Sequence, residues 1–228
     1  LRWGAALVFC LPLRHRSHFW ARACGMLFPL LLLAQLLDPL AQSTTLWQQQ
    51  LLLLALYISF FALLGGMIYL CTDINKKGAM YCAVWSLLIA QCAYEGWCFL
   101  ELQFARYGHP LNMASPWAVL VQLLSGAVFF AAVYILLARQ LPYKGEYHIG
   151  PRQLFSAFFI GILFMVQAAV LDNFRAEQFP RSVIATILIG QFYFITLLYF
   201  QSELFKKSAM EKEMNALNLL YELKKKLN

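Results

Sequence analysis

The sequence predicts an all-α fold: a polytopic transmembrane helix bundle of about seven helices, the first truncated, with a C-terminal cytoplasmic coiled-coil-like helix. Three observations predict it. The first is composition. Of 228 residues, 61% are hydrophobic and only 13% are charged, and the mean hydropathy is +0.62. Soluble domains carry about 25% charged residues. A soluble core of this size cannot cover so much apolar surface, and large exposed apolar patches aggregate. The second is recurrence: apolar stretches return again and again at the length of about 20 residues that a bilayer crossing needs. The third is charge placement. Lys and Arg fall in alternate connecting segments and at the C-terminus, where cytoplasmic loops hold their positive charge.

The elements follow in order. Residues 1–13 (LRWGAALVFCLPL) read as the end of a first helix, too short to span. Residues 21–40, 50–71, 79–102, 116–138, 153–172 and 182–203 read as the second to seventh helices. Continuous apolarity decides these more than periodicity does. A soluble amphipathic helix keeps one polar face, and the stretch LLLLALYISFFALLGGMIYL (51–70) has none. Hydrocarbon requires backbone groups to bond internally, so such stretches are helices. A transmembrane barrel needs short alternating strands, which are not seen. TDIN (72–75), YGHP (107–110), LPYKG (141–145) and HIGP (148–151) are turn signals between helices. Trp3, Trp20, Trp47, Trp97 and Trp117 fall near expected helix ends, as in an interfacial aromatic belt.

Orientation follows from the short connections. Arg14, Arg16 and Arg22, then Lys76 and Lys77, then Arg139, Lys144 and Arg152 mark one set of loops. Segment 41–49 has no Lys or Arg, 103–115 has Arg106, and 173–181 has Arg175 and Arg181. Eight basic residues stand against three. The basic set and the lysine-rich tail are therefore expected in the cytoplasm. This pattern also accounts for the net charge of +7 without nucleic acid.

The tail differs in kind. ELFKKSAMEKEMNALNLLYELKKKLN (203–228) lacks Gly and Pro and is rich in helix formers. Met210, Met214, Leu217 and Tyr221 form a stripe at coiled-coil spacing, with Leu220, Leu223 and Leu227 on a neighbouring one. The expectation is a seventh helix that runs straight out of the bilayer into a dimerising stalk, dividing the chain into a transmembrane domain (1–203) and a linker or dimerisation helix (204–228). The competing reading is an amphipathic helix lying on anionic lipid. The chain begins at Leu1 and stops within this charged segment, so a fragment cut at both ends is expected.

Few residues offer chemistry. Glu95, with Gln91 one turn before it on the same face, is a carboxyl at membrane depth. Such groups are candidates for ligand contact or proton sensing. The plainer reading is a carboxyl near the interface, protonated or bonded to a neighbouring helix. Gln122, Gln167 and Gln191 suit interhelical amide bonds, and Gly65, Gly66 and Gly161 suit close helix contact. Cys10, Cys24, Cys71, Cys82, Cys92 and Cys98 include no C-x-x-C pair and read as small apolar residues. His15, His18, His109 and His148 lie in loops without a metal-binding pattern. No catalytic constellation, metal site or cofactor motif is visible in this chain.

Three segments carry a family resemblance: RHRSHFWAR (14–22), YLCTDINKKGAMYCA (69–83) followed by Gln91, and EKEMNALNLLYELKKK (211–226). Together they cover about a fifth of the chain and are loose by motif standards. Their layout resembles the membrane-embedded input domains of bacterial sensor histidine kinases with a GHKL-type ATPase, common in Firmicutes. The resemblance implies a lipid-embedded sensor that works as a homodimer through its last helix. It also implies a downstream kinase domain that uses ATP and a response regulator as partner. The family's phosphoacceptor His, followed by Asp and a basic residue, has no counterpart here, so no catalytic residue carries over. A small transporter or channel subunit is the alternative, and a membrane enzyme ranks last because it needs a polar catalytic cluster.

Overall fold

The computed structural model describes residues 1–42, 46–106, 116–140, 149–175 and 181–227. They form seven α-helices and one 3-10 turn: α1 Arg2–Cys10, α2 Phe19–Gln42, α3 Leu46–Cys71, α4 Lys76–Arg106, α5 Pro116–Leu136, the turn Ala138–Gln140, α6 Pro151–Arg175 and α7 Arg181–Leu227. No strand occurs among the described residues. Three helices contain stretches long and apolar enough to cross a membrane: Leu54–Cys71, Lys76–Glu101 and Pro116–Leu136. Phe19–Gln35 and Pro151–Gln167 are shorter apolar stretches.

Local chemistry sets the helix starts. α5 and α6 both begin on proline, whose missing N–H costs nothing in the first turn. α4 is capped by Asn75, whose Oδ1 accepts a hydrogen bond from the Gly78 N–H at 2.7 Å. Gly78 is needed there, because a Cβ would lie 2.7 Å from the Ile74 side chain folded across the first turn. His18 precedes α2 with φ of 59° and accepts the Arg22 N–H on its carbonyl at 3.1 Å.

α4 is the centre of the bundle. It packs against α1, α3, α5, α6 and α7, and 72% of its apolar stretch is buried, against 33% for α3 and 6% for α5. Small residues bring two neighbours close. A Cβ on Gly65 of α3 would sit 3.6 Å from Ala83, and one on Gly161 of α6 would sit 3.2 Å from Val84 Cγ1. Gly66, expected to do the same, faces open space. α1 is short but internal: Ala5, Ala6, Phe9 and Cys10 are fully buried, and Phe9 stands 6.2 Å from Trp85 of α4. α5 shows the reverse pattern, with Leu123, Leu124, Val128, Ile135 and Leu136 exposed. A water-soluble surface does not carry such a face; a lipid-facing one does.

Several expectations shift. α3 starts at Leu46, because residues 46–49 extend the helix instead of forming a loop. Trp97 is buried beside Ala118, whereas Trp20 and Trp117 are exposed near helix starts. Of the cysteines, Cys10, Cys71, Cys82 and Cys92 are buried and Cys24 is exposed. α7 runs unbroken for 47 residues through positions 203 and 204, so the charged tail continues the seventh helix. His109, Lys144 and His148 lie outside the described residues.

Candidate functional site

One end of the bundle is locked by two loops that are far apart in sequence. His15 and Thr72 form an isolated antiparallel bridge. The Arg16 N–H donates to the Cys71 carbonyl at 3.0 Å, and the Asp73 N–H donates to the Arg14 carbonyl at 2.8 Å. Arg22 Nη1 reaches the Leu70 carbonyl at 2.8 Å. Arg16 also lies 3.8 Å from Asp73 Oδ1 and 5.0 Å from the centre of the Tyr69 ring. The two basic loops expected on one side therefore do share one end of the bundle. Because α1–α2 and α3–α4 both turn there, α2 and α4 start from that end.

Deeper in the bundle lies a polar layer. Glu95 of α4 is fully buried, and Gln91 is nearly so. Gln91 Nε2 donates to Glu95 Oε1 at 3.0 Å, which joins the two sequence-predicted residues. Both continue the stripe of α4 that starts at Val84, because steps of seven and eleven residues return to the same helix face. That stripe faces α6 at Gly161.

Two more amide side chains lie on α6 and α7. Gln167 lies about 9 Å beyond Gly161 on α6, and Gln91 about 10 Å beyond Val84 on α4. Six residues turn Gln167 by about 240° from Gly161, so it lies on a different face of α6 from the one that meets Val84. On α7, a Cβ at Gly190 would lie 2.8 Å from Gln167 Nε2, so Gly190 makes room for the Gln167 amide. The next residue, Gln191, is 1% exposed. With Ile195 and Leu198 it forms the buried stripe of α7.

Sequence reasoning expected ordinary interhelical amide bonds here. The structure differs: among the described residues, neither Nε2 nor Oε1 of Gln191 has a hydrogen-bond partner, and Gln167 Oε1 has none either. A half-buried charged group packs on a neighbouring helix. The Arg2 guanidinium of α1 lies 3.8 Å from the centre of the Phe60 ring of α3. Its position near the chain start gave no signal of this contact; only the packing of α1 inside the bundle does so.

The predicted stalk residues lie elsewhere. Met210, Met214, Leu217 and Tyr221 are all exposed on the far part of α7, as are Leu219, Leu220 and Leu223. Between Gln191 and Tyr221 the helix is continuous over about 45 Å. No group of three or more His, Cys, Asp or Glu side chains gathers among the described residues. The arrangement thus offers amide and carboxyl oxygens at depth, a rigid rod leading away from them, and a pinned basic end. No family model, no curated protein and no solved structure matches the chain, so its functional reading rests on these residues and their geometry.

Proposed function

We propose that the chain is the membrane-embedded sensor domain of a two-component histidine kinase, with α7 as its output element. The observation that carries this reading is the continuity of α7. One helix holds a buried polar residue, Gln191, against the bundle and ends in an exposed, charged segment with an apolar stripe. A helix of 47 residues is about 70 Å long, more than twice the roughly 30 Å of bilayer hydrocarbon. The excess belongs in water, as its lysines and glutamates require.

In this reading the protein sits in the cell membrane with all seven helices embedded and the end of α7 in the cytoplasm. An external or lipid-borne signal favours one of two bundle arrangements. α7 passes the difference on as a shift or rotation. The stripe of Met210, Met214, Leu217 and Tyr221 pairs with the same stripe of a second copy. A kinase domain that uses ATP follows in the parent protein and hands phosphate to a response regulator.

Disulfide crosslinking tests the output element. Met214→Cys or Leu217→Cys, placed in a chain whose own six cysteines are replaced, is expected to give a covalent dimer in membranes. Absence of the dimer, together with a monomer by light scattering in detergent, would remove the stalk from the proposal.

A second reading, a small transporter or channel subunit, draws on the polar layer, because substrate and ion sites of transporters lie near the bilayer midplane. Proteoliposome uptake that is lost on Glu95→Gln would favour it.

A further inference from the structure

We infer that the corner where residues 14–22 meet residues 70–77 is a docking surface for an anionic phospholipid, with the headgroup phosphate among the cations of the two loops and the acyl chains along the outer face of α2. The inference rests on a membrane-embedded bundle and stands whether or not α7 carries a signal.

It starts from how the cations are gathered. The Asp73 N–H on the Arg14 carbonyl, the Arg16 N–H on the Cys71 carbonyl and Arg22 Nη1 on the Leu70 carbonyl tie three arginines to the short segment 70–73. Lys76 and Lys77 follow directly, exposed at the start of α4. Asp73 is the one carboxylate within 14–22 and 69–77, and it lies 3.8 Å from Arg16. Among the described residues, no carboxylate pairs with Arg14, Arg22, Lys76 or Lys77. Like charges held this close repel each other, yet the backbone bonds between the loops keep them together. Such a set fits an anion supplied from outside the chain. Arg22 is the best placed to hold it. It is half-buried and uses one of its five N–H donors on the Leu70 carbonyl, and the planar guanidinium fork matches a phosphate.

Three further observations make that anion a lipid. The first is depth. The membrane-crossing stretch of α3 ends at Cys71 and that of α4 begins at Lys76, so the corner stands where hydrocarbon gives way to headgroups. The second is Trp20. His15 stacks on Phe19 at 4.1 Å, and Phe19 meets Trp20 edge-on at 5.2 Å, which fixes Trp20 beside the joined loops. Its indole is 60% exposed, as suits a ring at the membrane–water interface. The third is the face that Trp20 begins. Trp20, Phe28 and Leu31 share one side of α2 and are all exposed. An apolar track therefore leads from the cations into the bilayer. A free phosphate or an acidic peptide in water has no use for that track. An anionic head with hydrocarbon tails uses both parts. Bound there, the lipid would bridge the α1–α2 loop to the α3–α4 loop and offset the repulsion between their cations.

Quenching of tryptophan fluorescence tests this. The 228-residue chain is reconstituted in phosphatidylcholine vesicles that carry, at equal mole fraction, either phosphatidylglycerol or phosphatidylcholine with brominated acyl chains, which quench tryptophan on contact. Brominated phosphatidylglycerol should quench more strongly. Arg22→Gln combined with Lys76→Gln and Lys77→Gln should bring the two lipids level. If that variant does not fold, Lys76→Gln with Lys77→Gln serves in its place and should lower the excess. Trp20→Phe should remove most of the excess, because it removes the reporter at the corner. Lys224→Gln with Lys225→Gln, on the tail, should leave it intact. Inorganic phosphate, exchanged for chloride at matched ionic strength, should leave it intact as well. Equal quenching by the two lipids would overturn the inference. So would an excess that survives the corner variants and Trp20→Phe, or one lost only with the tail lysines. Relief by phosphate would make the corner a site for a free anion and remove the lipid from it. None of these results bears on the crosslink through α7, so the two readings fail separately.

Discussion

Gln91 illustrates what a single side chain does in this bundle. Its Nε2 donates to the Glu95 carboxyl at 3.0 Å inside a helix that is buried along most of its length. Removing that donor takes one hydrogen bond from a buried carboxyl group. Gln91→Leu should therefore destabilise the chain by about 1–3 kcal/mol, read from unfolding in a mild denaturing detergent series. A neutral result would mean that Glu95 does not depend on Gln91. The pairing of Gln91 with Glu95 was legible in the sequence, since four residues make one helical turn. The unpartnered state of Gln191 was not. Polar residues in membrane helices usually find each other, and only the packed positions of α4, α6 and α7 reveal that this one does not. The stacking of Arg2 on Phe60 was missed for a related reason: it depends on where α1 sits, and no local pattern encodes that.

Among the elements, α4 and the loop before it do most to organise the fold. Asn75 caps the helix, Ile74 folds over the first turn, and Thr72 and Asp73 join the loop to residues 14–16. Replacing the cap by alanine should cost about 1 kcal/mol. For Asn75→Ala the loss should appear as a lower unfolding midpoint together with faster hydrogen exchange at the start of α4; exchange unchanged there would contradict the cap's role. The Arg16–Asp73 pair is a weaker support. Its groups are 3.8 Å apart and partly exposed, so the backbone bonds between the loops carry more of the link. Element existence was readable from the apolar stretches, because hydrocarbon permits only helices there. Element ends were less so. Trp47, Gln48 and Gln49 fell in the expected connection, yet glutamine is a good helix former and α3 absorbs them. Which helix would be central was hidden as well: α4 is less continuously apolar than α3 or α5, and it is central because its small and polar residues need protein neighbours, not lipid.

For the whole molecule, the account depends on apolar helices being solvated by lipid and on α7 passing beyond them. Composition alone makes the first part legible, and the exposed leucines and valines of α5 express it in three dimensions. The second part draws on the alternation of basic loops. Two of those loops are joined at one end of the bundle by the His15–Thr72 bridge, while the direction of that end relative to the cell rests on the positive charges. A reporter fused behind α7 tests this most directly. Green fluorescent protein, which is fluorescent only when it folds in the cytoplasm, is compared with alkaline phosphatase, which is active only outside. The account predicts a fluorescent, phosphatase-negative fusion that stays in the membrane fraction until detergent is added. Phosphatase activity without fluorescence, or a chain that is soluble with no detergent, would contradict it.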